Sequence, residues 1–228
     1  MRKVLFAAIV LLISYQSAIA QGFTGSFDLV VNQQSPGGNE RIDTVSYYFS
    51  GEKTAVVIHG RSKSDPGIRL VFNSSDSTIT GLFEMNGKKG GYVLPMDLEH
   101  WPGLPHSVEN VNKSAVPETR KTGETKNIGN FLCHEMKADS EDYSVTMWVA
   151  NEIPLSMTRV LSYQSVGKGK SREEVDMFKK LGVEHLPLEM HLKSKQGKSD
   201  ISAYVINLKD SPDISAFSTD GHSVSEIE

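Results

Sequence analysis

The stretch "TGETKNIGNFLCHEM" (residues 122–136) decides the fold more clearly than any other part of this 228-residue chain. It reads as a polar turn followed by a β-strand that carries the single cysteine, Cys133. Because neighbouring side chains of a strand point to opposite faces, His134 cannot act as the base for Cys133. Glu135 shares the face of Cys133, but a neighbouring anion disfavours the thiolate. We therefore interpret Cys133 as a small apolar core residue, with a reactive thiol as the alternative.

Similar short runs of β-branched and aromatic residues extend in both directions from this stretch, separated by Gly, Pro, Asn, Asp and Ser. Strands are predicted at residues 25–32, 43–50, 53–60, 68–73, 77–86, 125–138, 143–153, 186–194 and 199–210. The runs follow each other too closely for parallel crossovers, so the spacing predicts an antiparallel meander. The expected fold class is mainly β (α+β), as one domain over residues 21–228.

Two segments depart from the strand pattern. Residues 92–117 hold four prolines and little periodicity, which predicts a long connection with room for one helical turn. Such a connection either covers a site or is an ordinary surface crossover. A helix is predicted near residues 171–182, because Ser171 and Glu174 form a capping box and Val175, Phe178 and Leu181 mark an apolar face that ends at Gly182.

The N-terminal sequence "MRKVLFAAIVLLISYQSAIAQG" is typical of a secretory signal peptide. Two cations precede an apolar run that is shorter than a membrane span needs, and the pattern predicts cleavage between Ala20 and Gln21. No cysteine lies at or directly after that site, so the sequence predicts a periplasmic or secreted protein with no lipid anchor and no transmembrane segment in the mature chain. Cleavage removes two cations and no acids, which changes the formal net charge from −4 to −6. An acidic chain without a basic stripe argues against nucleic-acid binding.

The polar residues give weak support to catalysis or metal binding. The seven histidines are scattered, and "HWPGLPH" brings His100 and His106 together without a third ligand fixed by sequence. "GKGKS" (167–171) lacks the earlier glycine of a phosphate-binding loop, because Gln164 stands there. No G-x-S-x-G elbow occurs. We predict no catalytic residues, no metal and no cofactor, and keep an enzyme that uses Cys133 or the histidines as the weakest alternative.

The apolar residues point to a binding surface. Trp148 lies in the middle of the predicted strand "SVTMWVA", and methionines at 85, 136, 147, 157 and 190 would suit an adaptable pocket, although they fill ordinary cores as readily. The predicted ligand-binding residues on a concave sheet face are Trp148, Met147, Met136 and Phe131. The alternative without ligand binding is a helix-covered core with Trp148 at its margin.

Residues 122–155 resemble the signature of the bacterial family called domain of unknown function 4412. The resemblance rests on Thr122, Gly123, Lys126, Ile128, Gly129, Phe131, Cys133, Trp148, Val149, Ala150 and Leu155. "LPLEMHLKSKQGKSDISAYVINL" is similar to the closing hairpin of that family, whereas the segment after Phe217 lacks its proline and tyrosine. The resemblance implies a fold similar to the periplasmic lipoprotein carriers (LolA-like), a curved antiparallel half-barrel with one or a few short covering helices. It also implies a Gram-negative envelope protein, of the Bacteroidetes type, and no particular activity.

Three functions remain open at this point. The first is a non-enzymatic envelope protein whose concave face holds a lipophilic ligand or a lipidated or extended partner. The second is a structural or interaction module that presents loops such as 92–117 to an envelope protein. The third is the enzyme considered above. A large apolar void beneath the sheet would favour the first, and a filled core would favour the second.

Overall fold

The computed structural model describes residues 22–62, 67–107, 121–167, 173–181 and 183–226. The predicted signal peptide with Ala20 and Gln21, and the proposed helix-capping Ser171 and helix-ending Gly182, lie outside these ranges. The described strands are β1 Gly25–Gln34, β2 Glu40–Ser50, β3 Lys53–Ile58, β4 Ile68–Asn73, β5 Thr78–Met85, β6 Lys88–Pro95, β7 Lys121–Ile128, β8 Phe131–Asp139, β9 Tyr143–Ala150, β10 Pro187–Ser194, β11 Asp200–Lys209 and β12 Ser223–Glu226. The described α-helices are α1 Met157–Ser162 and α2 Glu173–Lys180.

The described strands form one curved, unclosed sheet, which confirms the predicted fold class. Its order is β12-β6-β5-β4-β3-β2-β1-β11-β10-β9-β8-β7. Two meanders, β1 to β6 and β7 to β11, are joined where β1 pairs with β11. The pairing is antiparallel along both meanders, and β12 adds a parallel strand to the edge at β6.

Alternation along the strands separates an inner face, covered by α1 and α2, from an outer face. Phe27 lies opposite Tyr47, and Leu29 lies opposite Val45. These side chains belong to the same buried cluster as Val160 of α1 and Phe178 of α2. The main core is therefore the layer between the inner face and the two helices.

The helical cover in the described ranges consists of two short helices, in agreement with the one or a few that the resemblance implies. The helix predicted near 171–182 is α2, and Val175 and Phe178 are buried as expected. The residue pattern did not predict α1, which also covers the sheet. Its N-cap is Ser156, whose Oγ accepts a hydrogen bond from the backbone N–H of Arg159 at 3.0 Å. With six residues, α1 is too short to show helical periodicity in the sequence.

Two strand predictions need correction. Residues 125–138 form two strands, because Gly129 adopts φ 58° and a turn at 129–130 separates β7 from β8. The connection predicted to begin at residue 92 begins only after β6, which ends at Pro95. It includes a short 3₁₀ helix at Leu104–His106, and residues 108–120 of it lie outside the described ranges.

The C-terminal segment crosses the outer face. A 3₁₀ helix at Ile214–Phe217 places Ala216 against Ala55, Val71 and Leu82, and Arg69 donates to the carbonyl oxygens of Ser215 and Ser218 at 3.1 and 2.8 Å. This crossing brings β12 alongside β6 in the parallel direction.

Candidate ligand-binding cavity

A cavity of about 450 Å³ lies between the inner face and the two helices. The sheet side is formed by β1, β2, β3, β4, β10 and β11, and the helical side by Met157 and Leu161 of α1 and Met177 and Phe178 of α2. Its volume falls within the range of about 300–1,000 Å³ that is typical of small-molecule sites.

The wall of the cavity is apolar over most of its surface. On the sheet side it is built from Leu29, Val31, Val45, Met190, Ile201 and Ala203. These residues share one face because Leu29 pairs with Val205, Val31 with Ala203, and Met190 with Ala203 across successive strands. Gln164, which follows α1, adds an amide.

An apolar row continues from the cavity across the inner face. Val45 pairs with Ile58, Ile58 with Ile68, and Ile68 with Phe83. Ile58 is 36% exposed and Ile68 is 42% exposed, and both contribute to the cavity lining. The open side of the cavity therefore has an apolar margin, which is a common mark of a binding surface.

Charged side chains lie next to this apolar row, at the mouth of the cavity. Along β2 the inner-face row changes from Val45 to Asp43 and then to Arg41. Asp43 accepts hydrogen bonds from Arg41 Nε at 2.7 Å and from Arg61 Nε at 2.8 Å, and Arg61 Nη2 also lies 2.7 Å from it. The described cluster of Arg41, Asp43 and Arg61 thus carries one net positive charge.

Aromatic side chains fill the part of the inner face near β4. The ring of Trp101 lies 4.6 Å from that of Phe72 and 5.3 Å from that of Tyr163, and Trp101 is 2% exposed. Trp101 Nε1 donates to the carbonyl oxygen of Ser162 at 2.8 Å. The connection after β6 therefore covers part of the sheet and fixes the end of α1.

Two further contacts tie the end of α1 to the sheet. Gln164 Nε2 donates to the Tyr47 hydroxyl, and Thr54 Oγ1 donates to the Tyr163 hydroxyl at 3.3 Å. Gly103 passes so close to α1 that an added Cβ would lie 2.2 Å from the carbonyl oxygen of Ser162. These contacts hold the helical wall of the cavity at a set distance from the sheet.

The structure divides the predicted ligand-binding residues between the two faces. Met147 pairs with Met136 and with the lining residue Met190, so both predicted methionines are buried on the inner face beyond the cavity wall. Trp148 pairs with Glu135 and lies on the outer face, which Phe131 shares by alternation along β8. None of the four lines the cavity, and they do not form one common site.

Trp148 belongs to a polar cluster on the outer face. Lys126 Nζ lies 4.3 Å from the centre of its ring and 2.7 Å from Glu189 Oε2. Burial acts to raise the pKa of Glu189, but hydrogen bonds and charge from Lys126 and His191 outweigh it and lower that pKa. Trp148 thus packs beneath an ion pair of the outer face.

Cys133 is fully buried, as predicted. Burial raises the pKa of its thiol, a backbone hydrogen bond at Ile128 acts in the opposite direction, and the charge of Glu152 raises it further. A buried thiol with a raised pKa is a poor nucleophile.

The hydrogen bond between Ser46 and His59 runs in the wrong direction for catalysis, because the histidine is the donor. Ser46 Oγ lies 2.5 Å from Asp28 Oδ1 and 2.7 Å from His59 Nε2. A hydroxyl has one proton and a carboxylate can only accept, so Ser46 donates to Asp28 and accepts from His59. His59 therefore cannot remove the proton of Ser46.

A second contact has the connectivity of a hydrolytic triad. His191 lies 3.0 Å from Glu189 Oε1 through Nε2 and 2.9 Å from Ser202 Oγ through Nδ1. His191 and Ser202 are a cross-strand pair of β10 and β11, each of which has a neighbour strand on both sides. Their backbone N–H groups are used in the sheet, so neither residue has a free backbone N–H for an oxyanion.

The other histidines make separate contacts. His100 Nδ1 lies 2.9 Å from Asp97 Oδ1, and His106 is buried. Within the described ranges, no three His, Cys, Asp or Glu side chains group closely enough to hold a metal ion. The described helices include none that is long and apolar enough to cross a membrane.

The residues at the mouth were missed by the sequence analysis, although a signal was present. The inner-face row of β1 runs Phe27, Leu29, Val31 and then Gln33, and that of β2 runs from Val45 to Asp43 and Arg41. A row that changes from apolar to charged within one strand indicates where an inner face opens to water.

Comparisons with known proteins give fold likeness alone. No family model matches the chain, and no curated protein sequence matches it. PNGF-II, in two crystal forms, is 12% and 13% identical with a TM-score of 0.39 in each case, and the alignments cover 90% of this chain and 31% and 32% of that one. This chain thus spans about a third of the length of PNGF-II.

Two smaller proteins align over most of their length. An uncharacterized conserved protein from Thermus thermophilus is 11% identical with a TM-score of 0.40, covering 97% of this chain and 99% of that one. A LolA superfamily protein from Nitrosomonas europaea is 12% identical with a TM-score of 0.35, covering 88% and 92%. Likeness at this level carries no functional information. The resemblance to domain of unknown function 4412 stays a prediction.

Proposed function

We propose that this chain is a non-enzymatic binding protein that holds the apolar part of a lipophilic ligand in the inner-face cavity. The observation that carries the proposal is the apolar cavity of about 450 Å³, which has an open, charged mouth. A purely structural module would fill its inner face with its own side chains, as Trp101, Phe72 and Tyr163 do beside the cavity.

The proposal includes an envelope location and membership of the family called domain of unknown function 4412. The signal-like residues 1–20 support export, and residues 122–155 support the family. Either the periplasm or the outside of the cell would suit a carrier of this kind, because a lipophilic molecule there needs protection from water.

The polar contacts of the described residues give catalysis little support. Cys133 is buried with a raised pKa, Ser46 donates its proton to a carboxylate, and Ser202 and His191 use their backbone N–H groups in the sheet rather than for an oxyanion. We therefore favour binding over reaction.

The proposal is tested with protein purified from its native host. Native mass spectrometry followed by lipid extraction should find a lipophilic molecule bound at about one per chain, and emptied protein should take up a fluorescent fatty acid. Ala203→Phe, which places a ring in the cavity, should reduce uptake. Ile206→Phe on the outer face of the same strand is the matched control and should leave uptake unchanged. Empty protein that takes up no lipid would refute the proposal.

A further inference from the structure

The wall of the cavity is mainly apolar, whereas its mouth is charged, so the two regions suit different ends of a ligand. Its wall offers aliphatic and thioether groups, whereas the described charged residues of its lining are Arg41, Asp43 and Arg61 at the mouth. A ligand that satisfies both regions is an amphiphile whose chain enters first and whose head group stays at the mouth.

The sign of the charge at the mouth selects the head group. Both arginines bind the same carboxylate, and their side chains are 55% and 53% exposed, whereas that of Asp43 is 27% exposed. The guanidinium groups therefore stand on the solvent side of Asp43. In the described part of the chain, Arg41 uses only Nε in this contact, so its two Nη groups keep donors for another partner.

We propose that the cavity binds a single-chain amphiphile with an anionic head group, held by Arg41 and Arg61. Guanidinium presents parallel N–H donors that fit carboxylate and phosphate oxygens. Asp43 positions both arginines and cancels one of their two charges, so one anionic group neutralises the cluster. A cationic head group would meet this net positive charge without a partner.

This inference rests on the proposed function, and a series of ligands with the same chain separates the two. The probes are hexadecanoate, hexadecyl phosphate, hexadecanol and hexadecylamine, each titrated below its aggregation concentration by calorimetry. Wild-type protein should bind the better anion about tenfold more tightly than the alcohol, which is the size of one charge-assisted hydrogen bond. The amine should bind more weakly than the alcohol. Whichever anion binds more tightly identifies the head group as carboxylate or phosphate.

A paired substitution tests the role of the arginines. In Arg41→Gln/Arg61→Gln the affinity for both anions should fall to that for hexadecanol or below it, because the Asp43 carboxylate loses both partners, while the affinity for hexadecanol stays unchanged. Lys137→Gln/Lys193→Gln removes the same charge from the outer face and should leave the preference intact. Circular dichroism confirms that each variant is folded.

The outcomes distinguish the two proposals. Equal binding of acid and alcohol by wild-type protein, or a preference that survives in Arg41→Gln/Arg61→Gln, would overturn the head-group inference and leave the cavity as a lipophilic site. Failure of all four probes to bind would overturn the proposed function itself.

Discussion

The volume of the cavity sets the length of chain that it can hold. A water molecule takes up about 30 Å³ in the liquid, and a methylene group has a similar volume. A cavity of about 450 Å³ therefore holds about 15 methylenes. Each buried methylene stabilises the complex by about 0.8 kcal/mol, which is about fourfold in affinity. The dissociation constant should therefore fall about fourfold per carbon and then level off near 15 carbons.

Calorimetric titration of fatty acids from C8 to C18 tests this directly. Ala203→Phe should move the levelling point to shorter chains, because the new ring takes part of the cavity next to Val31 and Met190. An affinity that does not change between C8 and C14 would refute burial of the chain. An affinity that keeps rising by the same factor per carbon up to C18 would refute the claim that the cavity volume limits the length of the buried chain.

Four further tests concern the supporting structure. Trp101→Ala should lower the free energy of unfolding in urea by about 3–5 kcal/mol, because Trp101 is buried and bonded to Ser162. The matched change Trp148→Ala on the outer face should cost about 1 kcal/mol and leave lipid affinity unchanged, and a large loss of affinity there would restore Trp148 as a ligand residue. Cys133 should react with a thiol reagent only after unfolding, and rapid labelling of native protein would contradict its burial. Burial lowers the pKa of His185 from 6.5, so the unfolded chain binds a proton that the folded chain does not. The free energy of unfolding should then fall as pH drops from about 7 to 5, by at most about 1.4 kcal/mol per unit, and His185→Gln should remove this slope. An unchanged slope in His185→Gln would show that other groups cause it.

Most strands could be predicted from the sequence because their apolar alternation and turn residues are local signals. β6 and β12 were exceptions, and in β6 the residues Gly90 and Gly91 resemble a turn. Glycine is needed at these two strand positions because a Cβ on Gly90 would lie 3.0 Å from the ring of Phe83, and one on Gly91 would lie 2.7 Å from the carbonyl oxygen of Gly81. Glycine here permits close packing across the sheet.

The cavity could be predicted only in part. The sequence predicts an apolar concave face and several methionines suited to a pocket, of which Met157 and Met190 line the cavity. Trp148 lies on the other face of the sheet, because it follows Met147 in a strand and its side chain points to the opposite side. Alternation along β2 places Arg41 and Asp43 on one face, but the contact of Arg61 with Asp43 depends on the sheet register and on the chain that follows β3, which no local pattern reveals.

The inner face of the sheet is tightly packed in one region and encloses the cavity in another. Trp101, Phe72 and Tyr163 occupy the part of the inner face near β4 and fix the end of α1. The helix then spans the remaining part of the sheet, where smaller residues such as Ala203 leave space. The tightly packed region and the cavity proposed to bind the ligand are therefore different parts of the same face.

The most direct test of the account is photo-crosslinking with a hexadecanoic acid that carries a diazirine in its chain, followed by mass-spectrometric mapping. We expect saturable labelling of the cavity wall, at Leu29, Val31, Met157 and Ala203, that unlabelled hexadecanoate suppresses. Labelling centred on Trp148 and its outer-face neighbours, or labelling that does not saturate, would contradict the claim that the inner-face cavity holds the ligand.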